Sequence, residues 1–479
     1  MEAEGPGPPA GPPPAAKATA TAWESTANLA NACIGAGVLA MPHAFALTGW
    51  AGGFLLSGAA GAAVGFSLLV VVEFGEKQKA ASFQGLVGAA LGEVWGRLMA
   101  VVLAVWFSGV CSGYLIIIRD AAESLCGQGG GAPETCANHA LWLPPLAAVA
   151  VLPMLFGHQL QTIAKVGSFV VFAILYLAVF VLVKFVHEMD QREEWEAFHA
   201  SAGSLRAAPI HTYAFMAQLQ VCQVYNELDA DSTFSGGGLP WRRRGRGRKA
   251  DSGGDSEEDE ELLPLNLEDG SAGQAGLTPP RSRKTSRAAE LPTGEAWGLR
   301  GRSRKMALMT RVIRRAIGLC IASYSVVGLF GYLSAPPDVW KRKSNLLRGV
   351  YREDGFSAVA EVLMALVACI SYPINFLPFR QTLHDLLAVA GVKVPARMHV
   401  AFTVAIFGAT VALALAIKEL GDVFEIFGSI GGAFIVFILP AQFIRREGGG
   451  RGRLGSEIML NACGLLLLAA ICVAGLRKA

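Results

Sequence analysis

The chain has 479 residues, 53% of them hydrophobic and only 16% charged, with a formal net charge of +3 and a mean hydropathy of +0.42. A soluble globular chain carries about 25% charged residues, so a single water-soluble domain is excluded, as is a secreted disulfide-rich scaffold. Residues 231–305 alone hold 14 Lys/Arg and 12 Asp/Glu, a third of all charged side chains, so the net charge says little about partners and no nucleic acid partner is expected.

Residues 1–22 are mostly Pro, Gly and Ala. They lack the basic start and compact apolar core of a signal peptide and read as a disordered cytosolic tail. Eleven stretches free of Asp, Glu, Lys and Arg then follow, at 25–47, 48–72, 98–118, 141–157, 166–183, 207–226, 316–336, 362–379, 398–417, 426–444 and 458–476. A helix crossing hydrocarbon needs about 17–25 residues, so the chain reads as an all-α polytopic membrane protein with eleven transmembrane helices. The fourth stretch is the shortest and contains Pro144 and Pro145, so its boundaries are the least secure. Residues 23–230 form the first half of this membrane domain and 306–479 the remainder, with the charged loop 231–305 between them.

Lys and Arg near the span ends set orientation. Leaving out the long loop, twelve fall on each side. The basic runs 242–249 and 300–315, which flank spans six and seven, break the tie and place the N-terminus in the cytosol. Loop 231–305 has too little apolar surface to offset the entropy of ordering, so it is expected to be disordered. Within it, Glu258 to Leu262 and Leu263 fit an acidic dileucine sorting signal for an endosomal, lysosomal or vacuolar membrane, or form part of a merely solvated charge run. Either way the loop offers a surface for cytosolic sorting or signalling proteins. Nine cysteines are present. Seven lie in or beside spans and suit apolar packing, whereas Cys126 and Cys136 share the loop after span three, placed in an oxidising compartment where they could pair.

Three spans carry polar interruptions. Span one reads from Asn28 and Asn31 through Ile34, Gly35, Ala36 and Gly37 to Pro42 and His43. Glycine weakens a helix by about 1 kcal/mol and proline by about 3, so this span is expected to break near residue 36. A helix interrupted there frees N–H groups that suit a carboxylate and carbonyls that suit a cation, as in discontinuous transporter helices. The alternative is a small-residue packing face, for which the Gly35–Gly37 spacing is wrong. Span six carries Gln218, Gln220, Cys222 and Gln223; such amides face a cavity or bond one another across helices. It has neither Gly nor Pro at its middle, so a break there is less evident. In span eight, Pro373 frees a carbonyl beside Ser371 and Asn375, and oxygens from spans one and eight suit Na⁺. Glu361 lies one helical stretch of about 18 Å before Pro373, near the outer mouth, as an interface residue or a protonatable gate. No cofactor is expected beyond Na⁺ or H⁺ as coupling ion. No clustered Cys/His set or Ser/His/Asp set suggests an enzyme.

These stretches together resemble the amino acid/auxin permease family, most closely its sodium-coupled neutral amino acid transporters. The resemblance runs in order through Asn31–Leu39, Tyr114–Asp120, Val224–Leu228, Val327–Tyr332, Leu346–Asp354, Ser371–Ile374 with Arg380, and Leu420–Gly432. It implies a fold like the bacterial leucine transporter, with spans 1–5 and 6–10 as inverted repeats and span 11 appended. It further implies that Asn31 and Ser371 contribute to a sodium site. Ile34, Gly35, Ala36 and Gly37 would cradle the carboxylate and amine of an amino acid, with Gln218, Gln220 and Cys222 across from them. Three departures bear on substrate and ion: Gln218 and Gln223 stand where the family has a histidine and a proline, and Glu361 where it has an arginine. The expected function is Na⁺-coupled symport of neutral L-amino acids by alternating access. H⁺ coupling at a vacuolar or lysosomal membrane, or an amino-acid-sensing transceptor, are the alternatives; the membrane is the plasma membrane or an endolysosomal or vacuolar one.

Overall fold

A computed structural model describes residues 20–127, 138–156, 167–187, 195–199, 201–230, 303–336, 339–340, 343–348, 351, 354–392, 394–448 and 450–476. Cys136 and the dileucine residues Glu258, Leu262 and Leu263 lie outside them. Among the described residues the protein is helical, with no sheet; one isolated bridge pairs Ala20 with Leu228.

The first span is two helices. Thr21 starts α1 (Ala22–Cys33) through a capping box in which its hydroxyl accepts from the Glu24 N–H and its own N–H donates to the Glu24 carboxylate. This arrangement satisfies two of the donors that a helix start leaves open. The helix stops at Cys33; a 3₁₀ turn over Ala36–Ala40 follows, and α2 (Met41–Thr48) leaves at a bend of 50°. Pro42 falls in the first turn of α2, where its missing N–H costs nothing.

Beyond it come α3 (Trp50–Gln78), the short α4 (Phe83–Leu91), α5 (Glu93–Gly127), the short α6 (His139–Ala150) and α7 (Gly167–His187). The sixth expected span is also divided, into α8 (Ala207–Phe215) and α9 (Gln218–Glu227). After the long loop come α10 (Arg304–Leu333), α11 (Gly355–Val389) and α12 (His399–Ala416). Then α13 (Leu420–Gly431) passes through a π-helical stretch at Gly432–Ile438 into α14 (Leu439–Glu447), and α15 (Arg451–Leu476) completes the described chain. Among the described residues, eight helical runs are long and apolar enough to cross a membrane, or nine with the bent α1–α2 pair. The expected spans at 141–157 and 207–226 are represented by shorter helices that do not reach that length.

Leu55, Leu175 and Leu465 are each more than 60% exposed. Apolar surface of this extent on the outer faces of long helices belongs against lipid. The helices that form the middle are better covered: Phe215, Tyr324, Tyr372 and Phe424 are fully buried. At one end, where the chain enters at Ala20, Lys77 pairs with Glu73 and Glu447, and Arg453 with Glu447. At the opposite end the Arg119 guanidinium donates to the Ala414 carbonyl in the last turn of α12, to the Ile417 and Lys418 carbonyls just past it, and to Asp120, which also accepts from Asn345. A cation at a helix C-terminus answers both its unpaired carbonyls and its dipole.

Candidate functional site

The two broken spans meet at their breaks. Gly37 lies so close to α8 that a Cβ there would stand 2.9 Å from the Ala214 Cβ and 3.0 Å from its Cα. Span six breaks without glycine or proline: Met216 is extended (φ −71°, ψ 115°), and the freed N–H of Ala217 donates to the Gln218 side chain. Breaking each helix strands carbonyls that would have accepted bonds from the next turn. The Tyr324 hydroxyl of α10 lies 2.8 Å from the Cys33 carbonyl and 2.7 Å from that of Ala214, so one buried phenol bridges both breaks. The Cys33 thiol donates to the Phe215 carbonyl. Neither Tyr324 nor this bridging role is legible in the sequence, where it is one aromatic among many in span seven.

Two connected spaces adjoin the breaks. The inner one, about 70 Å³, is bounded by Gly35, Ala36 and Gly37 on one side and by Trp106, Tyr114, Tyr213 and Gln220 on the other. The outer one, about 540 Å³, shares Gly35, Tyr114, Gln220 and Asn375 with it and extends past Asn28, Asn31, Ile34 and Ser371 to Ser82 and Gln84, at the start of α4. Asn28, Gln84 and Gln223 along this wall are exposed, so the space opens toward the end where the chain enters. Among the described residues, neither lining contains an Asp, Glu, Lys, Arg or His. The Oδ1 of Asn31 is buried and has no hydrogen-bond partner among the described residues. An unpaired buried acceptor of this kind is costly, and a ligand at that wall would relieve it. Tyr114 of α5 shares the lining of this space with Ser371 and Asn375 of α11.

Of the residues expected from sequence, Ile34, Gly35, Ala36, Gly37, Gln220, Asn31 and Ser371 therefore line one space or the other. Gln218 and Cys222 do not. Gln218 is buried and its amide reaches the Ser67 hydroxyl of α3. Cys222 sits against Gly75 of the same helix. The reason is rotation: once the span breaks at Ala217, α9 turns Gln220 to the cavity, and residues two positions away on a helix do not share a face. Glu361 lines neither space; it is buried between α11 and α5, where it accepts from the Ser124 hydroxyl. Cys126 is exposed near the end of α5. Trp106 and Tyr213 are site residues that the sequence does not signal.

The far end is shut. Tyr213 lies between Trp106 (4.7 Å between centroids) and Phe424 (4.4 Å), the rings tilted against one another, and with Trp106 it closes the inner space. Outside this aromatic layer, Arg206 pairs with Glu425 at 2.7 Å, Glu425 faces His43 at 3.8 Å, and the Leu346 N–H donates to the Leu39 carbonyl. The pocket thus lies where two broken helices meet, is lined by uncharged side chains among the described residues, opens at one end and is closed at the other.

The family described as transmembrane amino acid transporter protein matches residues 18–237 and 300–446. The chain belongs to that family. Among its relatives is the putative sodium-coupled neutral amino acid transporter 10 of Xenopus laevis, 22% identical over 473 residues, a match covering 94% of this chain but 37% of that protein. The chain thus spans well under half of that relative's length. Sodium-coupled neutral amino acid transporter 7 of Rattus norvegicus is 22% identical over 438 residues, covering 86% of this chain and 76% of the relative. Vacuolar amino acid transporter 7 of Saccharomyces cerevisiae is 25% identical over 228 residues, 45% of this chain and 44% of the other. The family and these relatives are transporters, not enzymes.

Proposed function

We propose that the protein is a symporter that moves neutral L-amino acids with Na⁺ by alternating access. The observation that carries this reading is the break at Ile34–Gly35, with the orphaned Asn31 oxygen beside it on a cavity that has no charged side chain. A zwitterion brings its own two charges, and the free amides after the break suit its carboxylate. An uncharged lining favours a substrate whose side chain is neutral, since a charged one would be desolvated without a partner. Asn31 and Ser371 face the same space and supply hard oxygen donors of the kind Na⁺ takes. The names of the relatives from Xenopus laevis and Rattus norvegicus support sodium coupling. The eleven-span count, the inverted repeat of spans 1–5 and 6–10, the cytosolic N-terminus, the Cys126–Cys136 disulfide and the dileucine signal belong to this same reading.

The rival is H⁺ coupling at a vacuolar membrane; the relative from Saccharomyces cerevisiae is named as vacuolar, which supports that membrane. Reconstitution of the full chain in proteoliposomes separates the two. Radiolabelled neutral amino acids should accumulate under an imposed Na⁺ gradient at equal pH; accumulation driven by a pH gradient and indifferent to Na⁺ would select the rival. Asn31→Asp should abolish the Na⁺-driven uptake, and unchanged uptake in that variant would remove the basis of the sodium site.

A further inference from the structure

At the sealed end, two buried acceptors face each other across the joint between α2 and α13. His43 is 5% exposed and Glu425 3%. The His43 Nδ1 lies 2.6 Å from the backbone carbonyl of Trp340. A carbonyl only accepts, so Nδ1 carries the ring proton and Nε2 of the neutral imidazole is a bare lone pair. That lone pair faces the Glu425 Oε1 at 3.8 Å. The Oε1 has no hydrogen-bond partner among the described residues, while Oε2 receives the Arg206 Nε at 2.7 Å. Without a proton the contact sets one acceptor against another inside a water-poor layer. One added proton converts it into a charge-assisted N–H···O contact.

We propose that the His43–Glu425 pair is a proton-binding site whose occupancy latches the sealed end shut. The proton is taken up from water on that side and bonds to Nε2; no other bond breaks, and the imidazolium so formed stands beside the carboxylate. Arg206 and Asp422, each nearly one-fifth exposed, connect the pair to that water. Other titratable or charged groups on the elements around this joint include His211 of α8, stacked on Phe45, Glu419, held by Ser344 and Arg348, Lys343 beside Ser344, and His199, which pairs with Glu196 and whose backbone N–H donates to the Thr48 carbonyl at the end of α2. The charges of α3 and α10 lie at the opposite end of those helices. His43 belongs to the half-span after the break and Glu425 to α13, so closing the pair joins an element of the substrate site to one outside it. A proton gained or lost at this contact changes the charge at the joint, which makes the latch responsive to the compartment on that side.

The proposal extends the transporter reading, yet its test does not depend on uptake. Hydrogen–deuterium exchange of peptides covering 38–48 and 420–428 is followed on the full chain in lipid nanodiscs at about pH 5.5 and about pH 8, corrected for the intrinsic exchange rate. In the native chain both peptides should exchange roughly threefold or more slowly at the lower pH. His43→Gln keeps a donor for the Trp340 carbonyl but cannot take up a proton, and should remove the pH dependence. Glu425→Gln still accepts from Arg206 and adds an amide donor for Nε2, so it should be protected at both pH values. A site that merely packs would lose protection in both variants. Exchange indifferent to pH in the native chain, or equally pH-dependent in His43→Gln, would overturn the proposal. Absence of any amino acid uptake, with the exchange pattern intact, would count against the transporter reading and leave the proton site standing.

Discussion

Gly35 and Gly37 stand two residues apart in one motif, and the structure gives them different work. A Cβ at Gly35 meets nothing within 4 Å, whereas one at Gly37 would press on Ala214 in the other broken span at under 3 Å. Overpacking of that kind costs about 1–3 kcal/mol. Gly37→Ala should therefore lower the melting temperature of the solubilised full chain, while Gly35→Ala should leave it within error of native, as read by a thermal-shift assay. Equal melting of the two variants would mean that the spans do not approach as closely as drawn. The Gly-Ala-Gly motif announces a break on its own; which of its glycines is sterically required depends on a neighbour nearly 180 residues away in sequence, and no local pattern reveals it.

At the scale of an element, α11 shows how one side chain can start a helix and neutralise a charge in another. Asp354 caps it through the Ser357 N–H at 2.8 Å and also receives the ammonium of Lys184, a nearly buried cation on α7, at 2.8 Å. The Lys184 hydrogen bond, with help from Ser357, holds the Asp354 carboxyl down at about 2. A depressed carboxyl stabilises the fold above its ordinary value of about 3.9 and loses that contribution only as pH falls through the folded value. The melting difference between native and Asp354→Asn should thus be constant from about pH 8 to pH 5 and shrink below about pH 4. A difference that already narrows near neutral pH would show that the pair is not what holds α11 to α7. Span six teaches a related lesson. Its break lacks both Gly and Pro, because the Gln218 side chain caps the freed Ala217 N–H and Tyr324 the freed Ala214 carbonyl; propensity alone does not predict a break that tertiary partners stabilise.

For the whole molecule, the family match halts at residue 237 and resumes at 300, and the compact helical unit is likewise made of Met1–Ser232 and Arg302–Ala479. Deleting 235–300 should leave proteoliposome uptake within about twofold of native, whereas a nutrient sensor signalling through the loop would lose its output; abolished uptake would place the loop in the transport cycle.

Composition and span length determined by themselves that this chain is helical and lives in a membrane, because hydrocarbon admits few other uses for so many long uncharged runs. The broken first span was equally legible, since the residues that weaken a helix are local to it. The second broken span, the aromatic layer of Trp106, Tyr213 and Phe424, the Tyr324 bridge and the facing of His43 by Glu425 were decided only in three dimensions. Each depends on groups from distant helices brought into contact, and single-sequence periodicity carries the face a residue occupies but not the neighbour it meets.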